Sequence, residues 1–446
     1  MCINMDFSAK IKTVFRSLQY RNYRLFFGGQ SISLIGTWMQ RIALPWLVYH
    51  MTGSVFLLGV VSFAGQIPTL ILAPFGGVLT DRWSRYRVLL TTQIISLIQA
   101  MILAILALTG VIQIWHIVVL SIALGCINAF DVPSRHSFVI EMVEKKEHLG
   151  NAIALNSMMF NGARLIGPSL AGIMLATTGE GVCFLINAVS YIFVIMSLLL
   201  MRSVKREGRK KGGNLFKDLK EGLDYTFGFA PIKYLLLLLA VVNLMGASYQ
   251  VLMPVFAKEI LHGGSDTFGF LMGAAGFGAL VGAVYLASKE TVLKLDRLIP
   301  AATALFSLGL IALSFTKVFI LSGILMVFIG LGLMIQTASS NTILQTITDD
   351  DKRGRVMSYY TLAIMGTAPF GSLLGGFLAK TIGTPYTILT GGVFCLAGAV
   401  LFMRKLPELR SIVRPVYIKM GIIPEVATAI QAASEPVVED DIIPSK

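Results

Sequence analysis

Residues 55–109 read VFLLGVVSFAGQIPTLILAPFGGVLTDRWSRYRVLLTTQIISLIQAMILAILALT. Two apolar runs, 55–79 and 87–109, enclose a short charged segment around Asp81 and Arg85. With a helical rise of about 1.5 Å per residue, each run is long enough to cross a hydrocarbon core of roughly 30 Å. The segment between them leaves room only for a tight turn, so this stretch predicts two neighbouring transmembrane helices.

The remainder of the chain repeats this pattern of apolar runs and short polar turns. Hydrophobic residues make up 55% of the 446 residues and charged residues only 14%, whereas soluble domains carry about 25% charged residues. The composition therefore excludes an ordinary soluble domain and predicts an all-α polytopic membrane protein. The twelve predicted transmembrane spans are 24–49, 55–79, 87–109, 114–133, 151–176, 181–201, 233–256, 267–288, 298–316, 318–340, 357–380 and 385–403.

The placement of charge predicts the orientation of these spans. The first twenty residues hold no apolar run of the signal-peptide type, so the amino terminus is expected to stay in the cytoplasm. The loops then facing the cytoplasm carry clusters of lysine and arginine, whereas the opposite loops carry only Lys258, Lys317 and Lys380. By the positive-inside rule this asymmetry predicts a multi-pass protein of the bacterial inner (cytoplasmic) membrane with both termini cytoplasmic. It also accounts for the net charge of +13 without nucleic acid as a partner.

A polar segment in the middle of the chain divides the spans into two groups of six. Within residues 202–232, apolar side chains recur at helical spacing among basic ones, which predicts an amphipathic helix against anionic lipid heads. A protein-docking site there is the alternative. The predicted boundaries are a cytoplasmic amino terminus at 1–23, an amino-terminal half at 24–201, this linker at 202–232, a carboxyl-terminal half at 233–403 and a cytoplasmic tail at 404–446.

The two halves resemble each other in sequence. Residues 151–172 read NAIALNSMMFNGARLIGPSLAG and residues 355–376 read RVMSYYTLAIMGTAPFGSLLGG, an offset of 204 residues. Both stretches pass from a cytoplasmic loop into a span that ends in a cluster of small residues. Spans five and eleven are equivalent only in a pair of six-span repeats, so the match predicts two pseudo-symmetric six-helix halves.

Residues 77–88, GVLTDRWSRYRV, carry a recognisable motif. They resemble the signature loop of the major facilitator superfamily, Gly-x-Leu-x-Asp-Arg-x-Gly-Arg-x-Arg, with Ser84 at the usual glycine. The resemblance implies a cytoplasmic latch that locks the two halves in an outward-open state. Its residues are Gly77, Asp81, Arg82, Arg85 and Arg87, together with Asp131 and Arg135 at the inner end of span four, where Asp131 is expected to pair with Arg85.

Further motifs narrow the resemblance. The segment around Gly167 and Pro168 in span five is similar to the glycine-proline motif of the family's antiporters, which implies export, and Pro168 predicts a kink. The segments 36–40, 128–135 and 353–358 are similar to the corresponding segments of the subgroup that includes the bacterial enterobactin exporter and related drug efflux proteins. The resemblance implies alternating access of a midplane cavity between rocking halves.

Charged residues inside the spans bear on the cargo. No acidic residue lies at the middle of a predicted span, and the one carboxylate near such a position, Asp131, is already assigned to the latch. Proton antiport is therefore an implication of the resemblance, without a dedicated carboxylate. Arg41 and Arg164 lie within spans one and five, and an anionic substrate would neutralise them. Alternatively, each bonds helix-end carbonyls, or Arg41 snorkels outward.

Polar and aromatic side chains in the spans form the predicted substrate site. Many of the amides are expected to bond between helices instead, because an unsatisfied amide in lipid is costly. The predicted substrate-binding residues are Gln30, Trp38, Gln40, Arg41, Asn128, Asn161, Arg164, Asn243, Gln250, Gln336 and Asn341.

These observations predict an exporter of a small amphipathic molecule, anionic and siderophore-like, or of drugs. An importer or lipid flippase on the same fold and a non-transporting sensor or scaffold are the alternatives. The expected partners are a small-molecule substrate, protons and membrane lipids, and the expected assembly is a monomer. Neither an enzyme nor a cofactor is predicted, since the chain has no phosphate-binding loop and its four cysteines are scattered without metal-site spacing.

Overall fold

A computed structural model describes residues 15–143, 145–202, 224–289, 293–349 and 352–420 of the protein. These residues form twelve long helices. In chain order they are α1 Arg21–Thr52, α2 Val55–Arg82, α3 Arg85–Leu108, α4 Ile114–Glu141, α5 Leu149–Thr177, α6 Glu180–Leu199, α7 Ala230–Ile260, α8 Ser265–Ala287, α9 Leu295–Phe315, α10 Phe319–Ile347, α11 Arg353–Ile382 and α12 Thr384–Lys419.

Ten of the twelve helices are long and apolar enough to cross a membrane. The two that fall short of this hydropathy are α1 and α5, which carry Arg41 and Arg164 in their interiors. Both helices are nevertheless as long as their neighbours and pack against other spans. Large apolar side chains such as Ile98, Phe315 and Leu401 point outward and are more than half exposed, as a lipid-facing surface requires. The twelve-helix membrane fold is thus confirmed.

Helix packing repeats with an offset of six. In the amino-terminal half α1 packs on α5 and α6, α2 on α4, and α3 on α4 and α6. In the carboxyl-terminal half α7 packs on α11 and α12, α8 on α10, and α9 on α10 and α12. The two halves are therefore pseudo-symmetric, as the sequence repeat predicts.

The halves meet along two equivalent helix pairs, α2 with α11 and α5 with α8. Each pair crosses at two glycines. A Cβ on Gly172 would lie 2.8 Å from the Cα of Gly269, and a Cβ on Gly376 would lie 3.0 Å from the Cα of Gly59. Gly172 and Gly376 are the last residues of the two repeated stretches. Backbones can approach this closely only without side chains.

Both crossings lie toward one end of the bundle, where the helix junctions at 53–54, 178–179 and 383 also lie. We call this the outer end and the opposite one the inner end, following the charge-based prediction.

Several helices run further than their predicted spans, and α4 and α12 exceed them the most. The α4 helix continues through Pro133 to Glu141, eight residues beyond the predicted end at 133. The α12 helix continues from the predicted end at 403 to Lys419. The structure describes neither residues 203–223, which carry most of the predicted linker helix, nor residues 421–446 of the tail, so the predicted domain boundaries stay predictions.

Candidate functional site: the central cavity

A cavity of about 330 Å³ lies between the two halves. Most of its polar lining comes from α1 to α6, whereas the carboxyl-terminal half contributes the apolar residues Ile364, Met365 and Ala368 of α11. Ile364 and Met365 belong to a π-helical segment, Leu362–Gly366, that interrupts α11. The cavity therefore has a polar wall on one half and an apolar wall on the other, which suits an amphipathic molecule.

Two arginines converge on one indole ring in the cavity. The Arg41 guanidinium carbon lies 4.9 Å from the centroid of the Trp38 ring, and that of Arg164 lies 5.8 Å away. The Phe160 ring meets Trp38 edge-on with centroids 5.8 Å apart. Gly167 makes this arrangement possible, because any Cβ there would clash with the Trp38 Cβ and push α5 away from α1.

Neither arginine of this cluster has an acidic partner within the described part of the chain. The Arg41 side chain is exposed into the cavity, which it lines, rather than directed toward lipid. Stacking on Trp38 supplies a cation–π attraction, commonly up to about 2 kcal/mol, but no counter-charge. The cluster is thus a positively charged, aromatic surface at the centre of the bundle.

Asp131 lies in the same cavity, and this corrects two predictions. Because α4 continues past Pro133, Asp131 falls within the helix instead of near its end. Its partner is Arg135, one turn along α4, with Nη2 3.2 Å from Oδ2. Thr92 Oγ1 and Gln93 Nε2 donate to the Asp131 Oδ1 atom at 3.0 and 2.7 Å. The expected pair of Asp131 with Arg85 is wrong.

Arg85 pairs instead with the carboxylate at the end of α4. Its Nη1 lies 2.8 Å from Glu141 Oε1, and both side chains are largely buried. Arg87 is exposed. The surroundings of Gly77 and the side chains of Asp81 and Arg82 lie outside the part of the chain that the structure describes, so the latch stays a prediction.

Of the predicted substrate-binding residues, Gln30, Trp38, Arg41 and Asn128 line the cavity, and Arg164 reaches it through Trp38. Gln40 does not, because it is buried and accepts a hydrogen bond from Asn187 Nδ2 at 2.7 Å, which joins α1 to α6. Three other amides bond within their own helices: Asn161 donates to Ser157, Asn243 donates to Leu239, and Asn341 accepts from Gln345. Two more, Gln250 and Gln336, lie away from the cavity lining.

Several lining residues were not among the predicted ones. Gln66 and Thr69 of α2 and Gln93 and Ser96 of α3 contribute polar groups to the wall, and Tyr191 of α6 adds a phenol ring. The two pairs are each spaced by three residues, which places both members on one helix face. This spacing of polar residues within apolar spans is the signal that would have identified them.

The outer end of the cavity is closed by contacts between the halves. Tyr49 of α1 donates a short hydrogen bond to Glu259 of α7. Trp46 stacks on Phe268 of α8 with ring centroids 6.0 Å apart. Together with the two glycine crossings, these contacts seal the bundle at this end.

Replacing Tyr49 with phenylalanine is expected to open the outer end. The change removes a hydrogen bond to a charged group, worth roughly 1.5–3 kcal/mol, which corresponds to at least about a tenfold shift in the equilibrium between closed and open states. Spin labels at Ser54 and Lys317 would report the change as a longer distance between the halves. The control is Tyr386→Phe, which alters an exposed tyrosine at the same end. Identical distance distributions in all three proteins would contradict the closing role.

The fold and the cavity define a helical membrane transporter of two pseudo-symmetric halves. The chain belongs to the transmembrane secretion effector family of the major facilitator superfamily, which it matches over residues 12–439.

Known relatives agree with this assignment, and a solved structure shares the fold. The Staphyloferrin A transporter of Staphylococcus aureus is 25% identical over 85% of this chain and 95% of its own length. The multidrug efflux pump Tap of Mycolicibacterium fortuitum is 24% identical over 84% of this chain and 93% of its own length. The crystal structure of a D-xylose-proton symporter shares the fold, with a TM-score of 0.67 at 16% identity over 89% of this chain and 98% of that one.

Proposed function

We propose that this protein exports a small amphipathic anion of the siderophore type across the bacterial inner membrane by alternating access. The observation that carries the proposal is the pair of arginines on Trp38, without acidic partners among the described residues. An anionic cargo would supply the missing counter-charge, and its flat or apolar part would rest on the indole and the α11 wall. The similarity to a staphyloferrin A transporter supports this class of cargo.

Proton antiport is the coupling that we infer, with Asp131 as the residue that takes the proton. It is the only carboxylate among the described residues that line the cavity. An ionised carboxylate accepts about four hydrogen bonds, and three groups of the protein already contact Asp131. A hydroxyl or amine of the cargo would donate a hydrogen bond to the remaining acceptor position of Asp131, and this position is available only while Asp131 is ionised. Proton and cargo would then exclude each other, which is the condition for antiport.

Whether the coupling is antiport or symport depends on this hydrogen-bond donor group of the cargo. An anion bound only at Arg41 and Arg164 would not compete with the proton for Asp131, so its binding would not enforce antiport. Antiport therefore requires a cargo that carries an acid at one end and a hydrogen-bond donor at the other, as siderophores with carboxylate and hydroxyl groups do.

Transport by the purified protein in proteoliposomes tests the proposal. A labelled carboxylate siderophore should accumulate in vesicles whose transporters are inverted when the vesicle interior is acidic, and collapse of the pH gradient should abolish the accumulation. Uptake into right-side-out vesicles, driven toward the compartment that corresponds to the cytoplasm, would contradict export. Gradient-independent equilibration would contradict proton coupling while leaving the cargo class intact.

Replacement of Arg41 with glutamine is expected to separate anionic from cationic cargo. Loss of a charged hydrogen-bond donor should weaken binding of the anionic siderophore by about ten- to a hundredfold, and it should leave a cationic dye unchanged or bound more tightly. Binding measured by fluorescence of the neighbouring Trp38 gives the affinities. Arg404→Gln, an exposed arginine outside the cavity, is the matched control. Equal losses for both ligands would contradict the role of charge.

Drug efflux is a second candidate function. The aromatic pair of Trp38 and Phe160, with the apolar wall from α11, would bind flat apolar drugs, and a relative is a multidrug efflux pump. The two functions differ in their need for negative charge. Drug export that is insensitive to Arg41→Gln, with no siderophore transport, would favour this alternative.

A further inference from the structure

A second cavity, of about 350 Å³, lies away from the transport site at the inner end of the carboxyl-terminal half. Its walls are the first turns of α7 and α9, Ile343 near the end of α10, and α12 from Phe402 to Tyr417. It shares no lining residue with the central cavity.

The floor of this inner-end pocket is apolar. Leu235 of α7 and Ile343 of α10 form it together with Phe402, Leu406 and Leu409 of α12, and each of these side chains is nearly buried. The α12 residues follow a spacing of three to four and therefore present one continuous helix face to the pocket. The floor offers contact for a hydrocarbon chain and few polar groups to a soluble ion.

The rim of the pocket is strongly basic. Lys294 and Arg297 at the start of α9 and Arg414 of α12 are exposed and form no ion pair with any described residue. Arg410 is also on the rim, and its charge is met by Asp296, to which it donates a short hydrogen bond. The rim thus holds three positive charges beyond the one pair.

The depth of the pocket matches a membrane interface. Exposed large apolar side chains continue along α12 as far as Met403, and the next exposed residues are Arg404 and Lys405. The floor begins at Phe402 and the rim lies two to three turns further, at Arg410 and Arg414. The apolar part is therefore at the edge of the hydrocarbon region and the basic part at the level of the lipid headgroups.

We propose that the inner-end pocket binds an anionic phospholipid, with the phosphate held by Lys294, Arg297 and Arg414 and an acyl chain on the apolar floor. Charge complementarity with the rim favours an anionic headgroup. The apolar floor favours a molecule with an acyl chain, rather than free phosphate. Because the pocket joins α12 to α7 and α9, the lipid would tether the carboxyl-terminal half to the inner leaflet without entering the transport cavity.

Native mass spectrometry of the delipidated full-length protein, titrated with phosphatidylglycerol or phosphatidylcholine, tests the proposal. The wild-type protein should bind one phosphatidylglycerol about tenfold or more tightly than phosphatidylcholine. The double variant Arg297→Gln/Arg414→Gln should lose this preference, because two charged contacts to the phosphate are removed. Thermal unfolding verifies that the variant is folded, and the pair of Arg410 with Asp296 is left intact in it.

A charge-matched control is Arg16→Gln/Arg404→Gln. Both arginines are exposed, Arg16 in the turn before α1 and Arg404 on the side of α12 away from the pocket. This control should retain the preference of the wild type for phosphatidylglycerol, which distinguishes the pocket from general attraction to a basic protein.

Three outcomes would overturn the assignment. An equal loss of phosphatidylglycerol binding in the control and in the pocket variant would show that the lipid is attracted to the basic protein in general and not to the pocket. Displacement of phosphatidylglycerol by millimolar inorganic phosphate would assign the rim to a free anion. A tenfold gain in lipid binding on truncation after residue 420 would show that the acidic tail of the chain itself occupies the pocket.

Discussion

Asp131→Asn is expected to abolish uphill transport and to weaken cargo binding by about ten- to a hundredfold, because the variant mimics the protonated form and lacks the charged acceptor that the donor group of the cargo needs. Asparagine keeps the size of the side chain and can still accept from Thr92 and Gln93, but it cannot release or take up a proton. A protein locked in the uncharged form would equilibrate its substrate and not concentrate it, so the accumulation ratio should fall to one. The pH dependence of transport should disappear at the same time.

Removing the charge of Asp131 also leaves Arg135 without its partner. Breaking a buried ion pair from one side commonly destabilises by about 3–5 kcal/mol, so the folded fraction of the variant is measured by size exclusion and thermal unfolding. Asp266→Asn, which removes an exposed carboxylate at the start of α8, is the control and should transport normally. Proton-driven accumulation by the Asp131 variant would refute the coupling role, whereas failure of both variants would point to a defect in assembly.

Gly172→Val is expected to prevent closure of the outer end and to lower transport by about a hundredfold. The new Cβ would lie 2.8 Å from the Cα of Gly269 and 3.3 Å from two backbone carbonyl oxygens of α8. These neighbours are backbone atoms and cannot rotate away, so α5 and α8 must separate. Overpacking costs roughly 1–3 kcal/mol, and the upper value displaces a conformational equilibrium about a hundredfold. Spin labels at Ser54 and Lys317 should show the outer end open.

A control on the same helix isolates the crossing from the effect of valine itself. Gly162 also lies in α5, and a Cβ there would have no neighbour within 4 Å. Gly162→Val makes the same change in helix propensity and should retain transport and the short label distance. Gly376→Val, at the equivalent crossing, should reproduce the loss. Normal transport by Gly172→Val would show that the crossing is not needed for the cycle.

The fold could be predicted from the sequence because lipid imposes simple rules on it. Apolar runs of sufficient length, short turns and basic loops give the helix count, and the offset of 204 residues between two stretches gives the symmetry. The ends of helices were less predictable. Pro133 and the polar residues after it suggested an end to span four, but α4 accommodates the proline and continues to Glu141.

The extent of α4 decides the surroundings of Asp131. Near a helix end Asp131 would be available to Arg85, whereas within α4 it belongs to the transport cavity, beside Arg135. The amides show the second limit of the sequence. Gln30 and Gln40 are both glutamines in the same apolar helix, yet only Gln30 lines the cavity, because Asn187 of α6 binds Gln40. Helix packing decides which amide finds a hydrogen-bond partner, and the hydropathy of the sequence does not predict this packing.

The arginines on Trp38 also have an electrical consequence. Arg135 and Asp131 cancel each other, whereas Arg41 and Arg164 give the empty cavity two positive charges that no described carboxylate compensates. A dianionic cargo would neutralise these two charges, whereas a cavity without cargo keeps them. Membrane voltage acts on each uncompensated charge with up to about 2.3 kcal/mol per 100 mV. Voltage should therefore act on the return step, in which the carrier holds a proton and no cargo, more than on the step that carries the cargo. The membrane potential would then change the rate of only one of the two steps.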